Sequence, residues 1–375
     1  MTKDSKKIIS AGHICLDITP IFPDNRSYKD IASILIPGKL INMDKADVST
    51  GGSVANTGLA LKKLGCDVTL LGKVGNDHFG DLIKSIVSSY GAGGLISDDN
   101  SSTSYSVVLA VPGIDRVFLH NPGANDTFSS DDISDEVLSD AVLFHFGYPT
   151  LMKNMYENDA KDLVRLFEKV KSKGIATSMD MAAIDPGSDA AKADWKKILD
   201  DTLAYVDFFL PSFEELCFML DREKYEKMIA SGSDITDIID MNKDVSPLAK
   251  KCIDMGCKTV VIKCGMRGLF YMTGDSKAIM DIGQRLKINR DDWADRSGIQ
   301  PCFMAKIVRS ATGAGDTSIA AFLAALINGR SVSECVRLAA AEGACCVTGY
   351  DALSGLKTLD ELEQAINDGW ETWEK

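Results

Sequence analysis

The chain has 375 residues, 45% of them hydrophobic, and a formal net charge of −13. That balance, without a long run of Lys and Arg, argues against nucleic acid and anionic membrane surfaces, which demand clustered cations, and leaves a small molecule as the expected partner. Ten cysteines with no C-x-x-C pair, and only His13, His78, His120 and His145 as histidines, read as reduced, mostly buried thiols rather than a disulfide framework or zinc site.

The charged start MTKDSKK has no apolar signal core, and no spanning helix follows, so a cytoplasmic location is expected. A first strand is predicted over 8–11. In GHICLD, just after it, Asp17 either accepts hydrogen bonds from a polyol or is an ordinary acid at a strand end. Residues 31–50 look extended, with a turn at Pro37-Gly38. The cluster GGSVANTG then opens a helix over 53–64 that ends at Gly65. Gly51 and Gly52 allow backbone to approach a ligand and Asn56 offers a donor and an acceptor, although a plain helix entry capped by Ser53 has the same letters.

A strand over 68–71 leads to GKVGNDHFG, a tight turn into a helix. Residues 103–120 are again extended, with a turn at Pro112-Gly113. Next come a strand over 142–146, a helix carrying Leu163, Phe167 and Val170, and strands over 175–178 and 208–210. In LPSFEEL, Glu214 and Glu215 either serve a hard cation through water or begin a helix. A charged helical excursion fills 221–250, and a strand covers 259–263. The loop KCGMRG, with Gly265 and Gly268, borders a nucleotide's phosphates or turns a hairpin toward 269–272. An irregular stretch with Trp293 occupies 282–307. Strands alternating with helices imply a mostly parallel sheet covered on both faces, with ligands gathered at the strands' carboxyl ends.

The run over 311–330, ATGAGDTSIAAFLAALINGR, carries the most chemistry. Ile319, Phe322, Leu323, Leu326 and Ile327 repeat along one helical face and Gly329 marks its end, so the helix begins near Gly315 and Asp316. First-turn amides lack intrahelical partners and sit at the positive end of the peptide dipoles. Gly313, Ala314 and Gly315 therefore form a seat for a phosphate or oxyanion, while Asp316 is also simply a favourable first-turn acid. No Walker-type GxxxxGK[ST] and no complete GxGxxG after a strand occur.

In this order, GG-x-x-A-N at 51–56, GxVGxDxxG at 72–80, PGAN at 122–125, KCGMRG at 263–268 and GAGD with its small-residue helix resemble the PfkB, or ribokinase-like, family of carbohydrate and nucleoside kinases. The resemblance runs from about Ile8 to Leu356. It implies one ribokinase-like domain over 1–375: a three-layer α/β/α sandwich with a mostly parallel central sheet and a small antiparallel β lid from 31–50 and 103–120. It also implies ATP and Mg²⁺ as cofactors, Asp316 as catalytic base, Gly313 to Gly315 as anion hole, and Asp17, Gly51, Gly52 and Asn56 at the substrate. Lys263, Gly265 and Gly268 fall beside ATP, and Glu215 at the metal.

The chain departs from the family in places. The family's Asn-x-x-Glu is Ser212-Phe213-Glu214-Glu215. The acid that many relatives carry two residues before the GAGD threonine is Ser310, which leaves monovalent-cation dependence open. SMDMAAIDPG keeps Asp180 without the arginine that several acid-sugar and fructose kinases show. The expected substrate is a small neutral sugar phosphorylated on a hydroxymethyl group, unless Arg116 in the lid selects an acidic one. A nucleoside kinase using Phe22, Tyr105 and Phe118 as walls, or a silent sugar sensor, are the alternatives. The lid's open strand edges suggest a homodimer.

Overall fold

The computed structural model describes residues 6–23, 31–112 and 116–373. Gly113 of the expected Pro112-Gly113 turn lies outside them. The strands in chain order are β1 (Lys7–Gly12), β2 (Cys15–Pro20), β3 (Ala46–Gly51), β4 (Val68–Leu71), β5 (Lys73–Gly75), β6 (Ile96–Asp98), β7 (Tyr105–Leu109), β8 (Val117–Asn121), β9 (Ala141–Gly147), β10 (Ala176–Asp180), β11 (Phe208–Phe209), β12 (Thr259–Lys263), β13 (Leu269–Thr273) and β14 (Ser297–Gln300).

Eight of them form one sheet in the order β14-β13-β12-β11-β10-β9-β1-β4. The strands from β4 to β12 pair in parallel, and β13 and β14 add an antiparallel edge. Neighbouring residues on these strands point to opposite faces, and the two cores follow that alternation. Ile8, Leu143, Phe208 and Val261 join one buried cluster, while Ile9, Phe144, Phe209 and Val260 join the other. Continuous apolar runs such as VVI are what a sheet buried on both faces requires.

The helix Ala314–Ile327 departs from the one-faced pattern read in its sequence. Every residue from Asp316 to Ile327 is buried. The alanines between the large side chains let the helices Ser53–Lys63 and Val332–Cys346 close over it, so its small face is packed as fully as its apolar stripe. Truncating a buried aromatic such as Phe322 in this setting costs about 3–5 kcal/mol.

A second sheet, in the order β3-β2-β7-β8, covers the carboxyl ends of the main strands. It differs from the expected antiparallel layer in two respects. β2 and β7 pair in parallel, and β2, which follows β1 almost at once, is a full member. Of the stretch 31–50 only Ala46–Gly51 is strand, since Ile31–Ser33 is a short 3-10 turn. Phe22, Ile34 and Val111 form a small buried cluster of their own beneath this region. The expected irregular stretch 282–307 contains the edge strand β14 and the short helix Arg290–Trp293.

Candidate active site

Strands β1, β9, β10 and β12 end along one edge of the main sheet, so the residues at their carboxyl ends, His13, Tyr148, Asp180 and Lys263, are brought together although 250 residues separate the first from the last. They line a cavity of about 1430 Å³, closed on one side by the smaller sheet and on another by the start of the Ala314–Ile327 helix. Of the residues singled out in the sequence, Asp17, Gly52, Asn56, Glu215, Lys263, Gly265, Gly313, Gly315 and Asp316 line it. Gly51, Gly268 and Ala314 stand outside its lining.

Those three positions have other reasons to be small. A Cβ on Gly51 would lie 2.1 Å from Asp17 Oδ2, so Gly51 makes room for that carboxylate. Gly268 has φ +87 and its Cβ would meet the Gln300 carbonyl at 2.1 Å. It turns the β12–β13 hairpin, the plainer of the two readings of KCGMRG. The Ala314 amide closes a turn onto the Ala311 carbonyl at 3.3 Å. The amides of Gly315 and Asp316 therefore remain as the first-turn donors that no helical carbonyl can reach. Gly313, at φ +77, supplies the left-handed step that lets the helix begin there.

Asp316 is 3% exposed. Tyr148 donates its phenol hydrogen toward both carboxylate oxygens, at 2.8 and 2.9 Å. Asn56 Nδ2 donates to Oδ2 at 2.9 Å, and Thr57 Oγ1 lies 3.4 Å from Oδ1. Burial pushes the Asp316 carboxyl above its ordinary range, and the donors from Asn56 and Tyr148 and the charge of Lys263 pull it back. Asn56 is thus turned toward Asp316 with its amide group, a role that its reading as a substrate contact did not contain. Tyr148 and Thr57 were missed altogether. Tyr148 had no spacing signal, because only the β9 crossover carries it to a helix start 168 residues away.

Deeper in the cavity, Lys263 donates to Asp180 Oδ1 at 2.5 Å. Asp180 and Glu215 are both raised, first by burial, with Lys263 opposing the rise. Burial also works against the Lys263 charge, but the carboxylates of Asp180 and Glu215 outweigh it, so the ammonium is held. The Ser212 found where the family has asparagine caps the helix Phe213–Leu220. Glu215 N–H donates to Ser212 Oγ at 3.2 Å, and Glu215 Oε2 accepts from Ser212 N–H at 2.7 Å. The charged excursion forms a wall here. Arg267 donates to the carbonyls of Thr236 and Asp237, which brings Ile235, Thr236 and Ile239 into the lining beside Cys264 and Gly265.

At the opposite end Asp17 faces the cavity from β2, raised by burial, with the Cys15 thiol 3.4 Å from its Oδ1. His120 reaches in from β8, placing Nε2 3.4 Å from His13 Nε2 and Nδ1 3.1 Å from Ser106 Oγ. Burial first, and then His120, lower His13 to about 3, so it is neutral. Among the described residues its Nδ1 is buried without a hydrogen-bond partner. Tyr105 and Phe118 line this end, whereas Phe22 belongs to the separate small cluster.

The pattern of pfkB family carbohydrate kinases matches residues 10–359. The chain belongs to this family. Among similar sequences, fructokinase-2 of Oryza sativa subsp. japonica is 24% identical over 374 residues, covering 96% of this chain and 94% of the rice protein. Among solved structures, the ribokinase of Giardia lamblia has a TM-score of 0.71 at 19% identity, with 97% of this chain and 99% of that one covered. Arabidopsis thaliana ribokinase, solved with ribose and ATP, has a TM-score of 0.67 at 20% identity, with 96% and 98% covered. This pfkB kinase accordingly has the ribokinase fold, and it is a phosphotransferase acting on an alcohol group.

Proposed function

We propose that the chain transfers the γ-phosphate of ATP to a hydroxymethyl group of a small neutral sugar, with Asp316 as base. One observation carries this reading. A buried carboxylate stands at the mouth of a helix whose free amides open into the same cavity as a buried lysine. The residues present fit a magnesium nucleotide. Gly315 stands directly beside Lys263, whose Nζ would be at ordinary contact distance, 3.7 Å, from a Cβ there. Lys263 and the amides of Gly315 and Asp316 suit the transferring phosphoryl group, while Glu215 and Asp180 supply the oxygen ligands that a hard cation prefers. Magnesium, when bound, neutralises charge on the phosphate oxygens. Ile235, Ile239 and Gly265 offer a partly apolar wall for the base.

Asp316 receives the hydroxyl proton. An ordinary carboxyl cannot ionise an alcohol outright, but it accepts the proton as the oxygen becomes acidic along the transfer, and the Asp316 carboxyl, raised by burial, is better matched to the task. The helix amides meet charge as it develops on the moving phosphoryl group. The smaller sheet excludes water, which limits wasteful hydrolysis.

Neutrality of the substrate is supported by the lining. Lys263 is the single cation among its described residues, beside carboxylates that include Asp17, Asp126, Asp180 and Asp316. A sugar acid or sugar phosphate would meet repulsion at the Asp17 end. Arg116, offered in the sequence as the residue that would reverse this, lies outside the lining, with Nη1 3.5 Å from Ser310 Oγ. Ser310 itself bonds to Thr312 at 3.0 Å. Asp17, Gly52, Asn56, His13 and His120 are the proposed sugar contacts. A nucleoside is the second reading, because Tyr105 and Phe118 give the same end aromatic surface.

A cytoplasmic location belongs to this proposal, and no helix among the described residues is long and apolar enough to cross a membrane. A panel of ribose, fructose, a sugar acid and adenosine with coupled ADP detection tests it. Turnover of ribose or fructose is expected. Preference for adenosine or the acid would overturn the sugar assignment, and ligand binding without ADP formation would make the chain a sensor.

A further inference from the structure

We propose that Tyr148 is a positioning residue for the base: its phenol, 2.8 and 2.9 Å from the two oxygens of Asp316, fixes the orientation of that carboxylate and holds its negative charge. This inference rests on the reading of Asp316 as base. A carboxylate offers about four lone-pair sites. Asn56 takes one on Oδ2 and Thr57 a longer one on Oδ1. Tyr148 lies within hydrogen-bond distance of both oxygens and has a single hydrogen to share between them. The orientation of the carboxylate is thus set by the protein before the sugar arrives.

Two features of Tyr148 show that the contact is built rather than incidental. Its backbone is left-handed, φ 66 and ψ 43, a region sparsely populated by non-glycine residues and found where structure around it over-determines a side chain. The step is held by the Tyr148 N–H on the Asp180 carbonyl at 3.2 Å and by the Leu151 N–H on the Tyr148 carbonyl at 3.0 Å. Burial and the nearby Asp316 also push the phenol well above its ordinary range, so it remains a donor. The other titratable groups facing Asp316 are Lys263, Glu215, Asp180 and the Cys346 thiol. Among the described residues, Asn56, Thr57 and Tyr148 donate to the Asp316 oxygens.

The test is Tyr148→Phe, with Asp316 titrated by NMR of carboxyl-labelled aspartate and its resonance assigned by loss in Asp316→Asn. Loss of one hydrogen bond to a charged acceptor is expected to raise the Asp316 midpoint by about one pH unit, a tenfold gain in proton affinity. The acid limb of kcat should move up with it, and KM for ATP should stay the same. An unmoved midpoint in a variant that melts like the wild type overturns the inference. Should the variant fail to fold, the ring-labelled Tyr148 resonance in the wild-type protein answers instead. It is expected to inflect at the Asp316 midpoint, and a flat trace overturns the inference. An inactive Asp316→Asn with an unmoved midpoint removes Tyr148 alone, whereas full turnover by Asp316→Asn removes the base and this inference together.

Discussion

Asp316 combines two opposed demands in one side chain. Its burial favours the neutral acid, and three side-chain donors and Lys263 favour the ion. A base needs both, because an acid held too firmly ionised would not accept a proton. Asp316→Asn keeps the shape and removes the proton acceptor, and kcat is expected to fall by at least ~10³ with ATP affinity nearly unchanged, as loss of a general base predicts. Steady-state kinetics beside ATP binding by calorimetry checks this. Near-normal turnover would show that the carboxylate only caps its helix. The Asp180–Lys263 pair was half visible in the sequence. Lys263 ends a predicted strand and Asp180 lies two residues past the one predicted over 175–178, but that they meet follows from β10 and β12 flanking β11 in register, which no local pattern reports.

At the scale of elements, the helices around Asp316 hold a second buried acid. Glu342, in Val332–Cys346, is fully buried, and its oxygens accept the Lys357 N–H at 3.3 Å. Burial pushes it up to about 8 from an ordinary 4.5. Its folded form therefore binds a proton that the unfolded chain has released between those values, and stability falls as pH rises through that window. Glu342→Gln, which keeps an acceptor for Lys357, is expected to melt higher than the wild type at pH 8 and to converge with it near pH 4.5. Thermal melts at both pH values decide it, and equal gaps at the two would discard the account. The other elements show how far periodicity reaches. It located β4 and β12 to the residue, since apolar runs bounded by turn residues mark a doubly buried strand. It described Ala314–Ile327 as one-faced, because alanines do not reveal whether a partner helix covers them.

For the whole molecule, the smaller sheet is the surface on which association is expected. Its outer strands β3 and β8 are unpaired on one side within the described residues, and Val117, Phe118 and Leu119 of β8 are exposed. An apolar strand edge of this kind is usually covered, so a homodimer through this sheet is expected. Light scattering at micromolar concentration measures it, and a monomer mass would remove the expectation.

Family, fold class and the helix start at the GAGD turn were available from the chain alone, because each depends on residues close in sequence: glycines that free a backbone, a dipole that begins with the helix, apolar runs of strand length. The glycine roles show the limit of such reading. Gly51 and Gly268 carry motif letters, yet each is small because a carboxylate or a carbonyl from elsewhere occupies the space of its side chain. Only the tertiary structure decided which donors surround Asp316, that the 221–250 excursion walls the cavity, and that β2 joins the cover. Such contacts are set by strand order and crossovers, which place side chains far apart in sequence within hydrogen-bond range.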